Sequence, residues 1–356
     1  MRHSLNLFAA LLASAVLTAC GSGDSGTSTA GGRTAAVAPI AATGDGCLGI
    51  HGDPPRETAP SVQGQAASLY YLAELCTLRG GEKIEWTDPD STPRLACLFE
   101  SSASSAENPL PLVTFLGGSI FPGDIQTVLG GLEFRINSAD LTGDPARQGF
   151  NLLVVEGRDK EHFYPFPDDH ALGFDNWYRN FDRDDPALNV DVATIDHYIA
   201  EIEARGIVDP RRKYMMGWSN GAAMSIIYAL NTPGIAASAV YSSPDPFVDS
   251  FDPCAQLPFG NNLRPVMTVH NSCDIIGICQ SGSVAFRGIM ATTLPQVELR
   301  SVIINPLGGE TDACVAACAY DGNPLQLATP GAALHLRWPL QWNDEFLGFL
   351  RERPLP

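Results

Sequence analysis

Residues 214–230 read YMMGWSNGAAMSIIYAL: a short apolar run, one serine framed by glycines, then a second apolar run. The first run has the composition of a strand buried on both faces, and the second that of a buried helix. Between them Gly217-Trp218-Ser219-Asn220-Gly221 fits the pattern G-x-S-x-G. A serine at the apex of such a strand-to-helix turn takes strained backbone angles that lift its hydroxyl clear of the sheet. Small residues two before and two after let the helix approach the strand without a clash. In a chain with 34 glycines the pentapeptide alone is a weak signal, and the flanking strand and helix give it its weight.

On either side of this stretch, short apolar segments alternate with helical ones. Residues 82–86 and 93–99 read as extended segments around the turn-rich TDPDST, and 110–116, 151–155, 213–218, 237–241, 265–269 and 297–304 read as strands. Residues 189–205 form an amphipathic pattern with Val192, Ile195, Ile199 and Ile202 on one face and Gly206 as its stop. Apolar strands alternating with helices imply an α/β fold, a mostly parallel sheet with helices on both faces. There is no internal repeat and no Gly-rich phosphate loop of nucleotide-binding type.

A serine hydroxyl needs a base, and behind such an elbow the partners follow in the order Ser, acid, His. Only His270 and His335 lie downstream of Ser219. His270 ends a strand and is followed by Asn271-Ser272-Cys273-Asp274, which suits a structural role beside an acid-bearing loop. His335, in AALHLRWPLQW, suits the base. Asp274 leads as the acid because it sits where a strand-end loop would present a carboxylate; Asp312 in GGETDAC is the alternative, with Asp245 and Asp249 behind it. The oxyanion of acyl transfer needs backbone donors. One is expected from Asn220, after the serine, and the other from Gly118 or Ser119 in the loop that follows strand 110–116. The aromatic stretch HFYPFPDDHALGFDNWYRNF (162–181), Trp218 and Trp338 either line an acyl or aryl pocket or pack in the core.

The blocks VDPRRKYMMGWSNGAAM (208–224), VHNSCD (269–274) and HLRWP (335–339) resemble the three signature blocks of the polyhydroxybutyrate depolymerase and feruloyl esterase family of α/β-hydrolases. The resemblance extends from about residue 81 to 354 and is strongest over 191–224. It implies an α/β-hydrolase fold with Ser219 as nucleophile, Asp274 as acid and His335 as base. It also implies a carboxylic ester substrate: a hydroxyalkanoate oligomer or polyester, or a feruloyl or acyl group on a polysaccharide. No metal or cofactor is expected. The chain departs from the family at Leu116-Gly117-Gly118, where Leu-His-Gly is usual, and at Asn271 and Ser272, where Gly and Thr are usual. The loop after Asp274 is enlarged and holds Cys279. The end at Pro356, soon after Trp338-Pro339, points to small soluble esters or oligomers over bulk polymer. Two other readings stay open: an acyltransferase or peptidase using the same three residues, and a catalytically silent surface lipoprotein that binds through the hydrolase scaffold.

The chain opens MRHSLNLFAALLASAVLTAC, with Arg2 ahead of an apolar run over 5–17 and then Leu17-Thr18-Ala19-Cys20. This is the layout of a secretory signal. Its ending resembles a bacterial lipoprotein signal, which implies cleavage after residue 19, lipidation of Cys20 and attachment to a membrane through acyl chains. Gly21 in place of an aspartate favours an outer-membrane destination. Residues 20–45 read as a flexible tether and 46–356 as one catalytic domain. With 22 basic and 40 acidic residues the net charge is −18, which excludes nucleic acid as a natural partner. Oligomeric state is not legible. Nine cysteines leave eight once Cys20 is set aside, and an even number in an exported chain predicts disulfides. Cys273/Cys279 and Cys314/Cys318 are candidate loop staples; zinc, the rival reading of such spacing, lacks a histidine at ligand distance.

Overall fold

The strands are β1 Glu82–Thr87, β2 Pro93–Phe99, β3 Leu110–Leu116, β4 Asn151–Val155, β5 Val208–Trp218, β6 Ala237–Tyr241, β7 Val266–Asn271 and β8 Leu299–Ile304. The helices that position the site are α1 Gly123–Gly130, α2 Val190–Ala204, α3 Asn220–Asn231, α4 Ser281–Thr293, α5 Pro330–His335 and α6 Asn343–Arg351. The structure is a computed structural model that describes residues 75–88, 93–118, 123–157, 177, 190–247, 262–274, 281–312 and 330–356. Cys20, Ser119, Asp249 and all of 162–181 except Trp177 lie outside them.

One sheet holds all eight strands in the order β1-β2-β4-β3-β5-β6-β7-β8. β1 pairs with β2, and β2 with β4, in antiparallel fashion; every other pairing is parallel. Every residue of β3, β4, β6 and β7 is buried, which is why these strands read as mainly apolar runs without polar alternation. The period of two survives in what each residue touches. Val113, Phe115, Tyr214, Met216 and Trp218 join one core with α6, whereas Leu112, Leu116 and Met215 join another with α2 and α3. A third core lies where α3 and α4 cover β6 and β7, around Ile226, Val240, Phe286 and Met290. The fold is therefore the α/β arrangement expected, with both faces of the sheet covered.

β5 begins five residues earlier than the apolar pattern suggests. The polar stretch Asp209 to Arg212 is held extended by partners beyond the sheet: Arg212 donates to the carbonyls of Leu141 (2.8 Å) and Arg351 (3.0 Å), and the Leu355 amide donates to Arg211 O at 2.8 Å. A hydropathy period cannot register such contacts. Cys76 and Cys97 form a disulfide that ties the chain ahead of β1 to the middle of β2. Cys273 is also disulfide-bonded, to a cysteine outside the described residues, so these three sulfurs are not zinc ligands. Cys279, Cys314 and Cys318 lie outside the described residues.

Candidate active site

Ser219 sits between the end of β5 and the start of α3 with φ 56° and ψ −124°. Its amide donates to Tyr241 O at 3.1 Å, which pins the turn to the neighbouring strand. The glycines on either side have steric causes. A Cβ on Gly217 would lie 2.5 Å from Gly221 O and 2.6 Å from Ser225 Oγ, and one on Gly221 would collide with the carbonyls of Leu116 and Gly117. Gly118 closes the same packing from β3, because a Cβ there would stand 2.8 Å from Ser219 Cβ. Only without these side chains can α3 start where it does, with Ser219 half-buried at the turn.

Ser219, His335 and Asp274, 116 and 61 residues apart in sequence, meet at the carboxyl end of the sheet. His335 Nε2 lies 2.9 Å from Ser219 Oγ, and its Nδ1 lies 2.9 Å from Asp274 Oδ1. The carboxylate can only accept, so Nδ1 carries the proton and Nε2 offers its lone pair to the serine. Asp274 and His335 are both buried. Of the alternative acids, Asp312 is exposed, and Asp245 accepts the Phe247 amide at 2.8 Å.

Asp274 is presented by a tight turn after β7. Asn271 Oδ1 accepts the Cys273 amide at 3.0 Å, while the Asn271 carbonyl accepts the Asp274 amide at 3.0 Å. Asn271 thus builds this turn with both its side chain and its carbonyl. His335 ends α5, whose last carbonyls find ring donors: Trp218 Nε1 donates to His335 O at 2.8 Å and the Tyr241 hydroxyl to Leu334 O at 2.7 Å. Burial, and after it the charge of Asp274, pushes the Tyr241 hydroxyl well above its usual range, so it remains a donor.

Trp218 packs in the core, one of the two places open to it: it is buried, donates to the carbonyl of His335, and packs edge-on against Trp338 at 5.7 Å. Trp338 is buried as well, packed at tilted and edge-on angles among Phe115, Tyr241 and Phe346, with its Nε1 donating to Asn343 Oδ1 at 2.7 Å. Both rings support the floor beneath His335. The Gly118 amide is not an oxyanion donor, since its proton goes to Gln126 Oε1 at 2.9 Å, while Gln126 Nε2 donates back to Gly118 O at 3.1 Å. A second side chain grips this loop: Trp177 Nε1 donates to Gly117 O at 2.7 Å. Asn220 opens α3 directly after Ser219, so its amide belongs to the helix's positive end.

Two residues near the triad gave no usable signal in sequence. Ser242, just past β6, has φ 57°; it and Ser219 are the only non-glycine residues with positive φ among the described residues. Its hydroxyl donates to Asp274 Oδ2 and lies 2.8 Å from His335 Nδ1. Gln126 lies in GDIQTVLG, a stretch with no catalytic motif. His270 takes the structural place expected of it. It is fully buried with Nε2–H donating to Ser243 O at 3.1 Å, and burial lowers its pKa to about 4.

No family model matches the chain, and no curated protein matches it in sequence. Solved structures do resemble it. A ferulic acid esterase aligns with TM-score 0.50 and 11% identity over 76% of this chain and 97% of its own. A thermostable esterase aligns with TM-score 0.46 and 15% identity over 77% of this chain and 63% of its own. An acylaminoacyl peptidase of Pyrococcus horikoshii aligns with TM-score 0.41 and 13% identity over 77% of this chain and 42% of its own. The chain therefore spans under two thirds of that thermostable esterase and under half of the peptidase. Sheet order, the strained serine turn between β5 and α3 and the first of these likenesses agree on the fold: the protein has the α/β-hydrolase fold.

Proposed function

We propose that the protein is a serine hydrolase that cleaves carboxylic esters through an acyl-enzyme. The observation that carries this reading is the chain of contacts from Ser219 Oγ through His335 to Asp274, at a strained elbow at the start of α3. Ser219 Oγ attacks the ester carbonyl carbon while its proton passes to His335 Nε2. Asp274 holds Nδ1–H and stabilises the resulting imidazolium. Collapse of the tetrahedral adduct breaks the bond to the alcohol oxygen, which leaves with the proton from His335. Water then loses a proton to the same nitrogen and attacks the acyl carbon; as the bond to Ser219 Oγ breaks, His335 returns that proton to the serine oxygen and the carboxylic acid leaves. The Asn220 amide is proposed as one oxyanion donor, and the second falls to residue 119 in place of Gly118.

The three sequence blocks support an ester of a hydroxyalkanoate oligomer or of a feruloyl or acyl group on a polysaccharide. The leader and Cys20 support export and a lipid anchor at a bacterial membrane. The testing experiment is time-dependent labelling by a fluorophosphonate, comparing the wild-type chain with Ser219→Ala and His335→Ala. Labelling of the wild type that vanishes in both variants is expected. A folded wild type that takes no label would leave the fold as a binding scaffold.

A further inference from the structure

We propose that Ser242 is a positioning residue of the active site, a fourth member whose hydroxyl holds the acid and the base in register. The inference rests on the serine-hydrolase reading and extends it. Four observations carry it. The backbone of Ser242 is held in the left-handed region at φ 57°, a conformation that costs a non-glycine residue about 1–3 kcal/mol. Glycine would adopt it freely, so the side chain itself must have a use. The hydroxyl is fully buried and touches the two partners of the nucleophile: it donates to Asp274 Oδ2, and its oxygen lies 2.8 Å from His335 Nδ1. Finally, the turn that presents it is fastened on both sides. The Ser242 amide donates to Val269 O at 2.8 Å, and His270 Nε2–H holds the next carbonyl, Ser243 O, at 3.1 Å.

The chemistry follows from these contacts. Asp274 offers one oxygen to His335 and the other to Ser242, so its carboxylate plane cannot rotate. The Nδ1 proton of His335 is shared between Asp274 Oδ1 and the Ser242 oxygen in a three-centre bond. When His335 takes the proton of Ser219, the Ser242 dipole has its negative end toward the imidazolium and its positive end toward the carboxylate. Both charges gain. A hydrogen bond to a charged group contributes about 1.5–3 kcal/mol, equivalent to roughly ten- to a hundredfold in rate.

The test compares the full chain with Ser242→Ala and Ser242→Gly on p-nitrophenyl butyrate, following kcat, KM, pH profile and thermal unfolding. Both variants are expected to lose about ten- to a hundredfold in kcat with KM little changed. The acidic limb of kcat/KM should move to lower pH in both, because the imidazolium has lost a stabilising oxygen. The other titratable and charged groups near the cluster are His270 from β7, Tyr241 from β6, Arg287 from α4 and Arg337 after α5. His270, near 4, is already neutral over the range assayed. Ser242→Gly, relieved of backbone strain, should unfold no earlier than wild type while still being slow, which a purely structural role does not allow. Wild-type kcat and pH profile in both variants, or recovery of kcat by glycine alone, overturns the inference. A wild type that neither hydrolyses the ester nor takes the fluorophosphonate overturns the hydrolase reading itself, and this inference with it.

Discussion

Lowering the pH from 7 to 4 should remove about 3 kcal/mol of stability through one side chain, His270. It is fully buried on β7, and that burial is the main reason its pKa falls from the usual 6.5 to about 4. The hydrogen bond to Ser243 O and the charge of Asp274 oppose the fall; Arg287 and His335 add to it. Between those two values the unfolded chain binds a proton that the folded chain refuses. The stability His270 provides is therefore fully present above 6.5, drains as pH falls, and is gone at about 4. That gap, at about 1.36 kcal/mol per pH unit, gives the figure stated. The comparison is His270→Gln, whose side-chain amide can still donate toward Ser243 O but does not titrate. Urea unfolding of both proteins at pH 7, 6, 5 and 4 should show the difference in unfolding free energy moving by about 3 kcal/mol in the variant's favour. Parallel pH profiles for the two proteins would refute the reasoning, since His270 would then titrate alike in folded and unfolded chains.

The remaining predictions concern covalent and steric restraints. Paired Cys76→Ser and Cys97→Ser substitutions open a crosslink between residues 21 apart, and urea titration should register a loss of about 3 kcal/mol; an unmoved midpoint counts against a structural disulfide. Dithiothreitol should do more, because it also opens the disulfide at Cys273 beside Asp274, so fluorophosphonate labelling should slow as well. Gly221→Ala places a methyl group against the backbone carbonyls of Leu116 and Gly117, which cannot swing away; circular dichroism melts should show it destabilised by about 1–3 kcal/mol or more. Gly288→Ala in α4, with nothing within 4 Å of the new methyl, is the control and should gain up to about 1 kcal/mol.

Much of this was legible in sequence because it depends on local pattern. Strands buried on both faces leave mainly apolar runs, and an elbow needs Gly217 and Gly221 whatever surrounds it. Chain order and a strand-end position separated Asp274 from Asp312. What escaped depends on direction. Trp218 and Trp338 sit next to functional residues in sequence, but alternation along β5 and the turn into α6 point their rings into the core. Whether an amide such as that of Gly118 is spent depends on a partner eight residues away, Gln126, whose identity carries no catalytic signature. Ser242 is one of many serines, and only its φ and its neighbours distinguish it.

Trp218 and Tyr241 are register partners on adjacent strands, and each is followed by a serine that reaches a ring nitrogen of His335. The end of α5 is thus held by four contacts from the ends of β5 and β6: Trp218 on His335 O, Tyr241 on Leu334 O, and the two serines on the imidazole nitrogens. The spacing between Ser219 and His335 is consequently fixed from two adjacent strands of the sheet. The length of chain that joins β8 to α5 does not enter it.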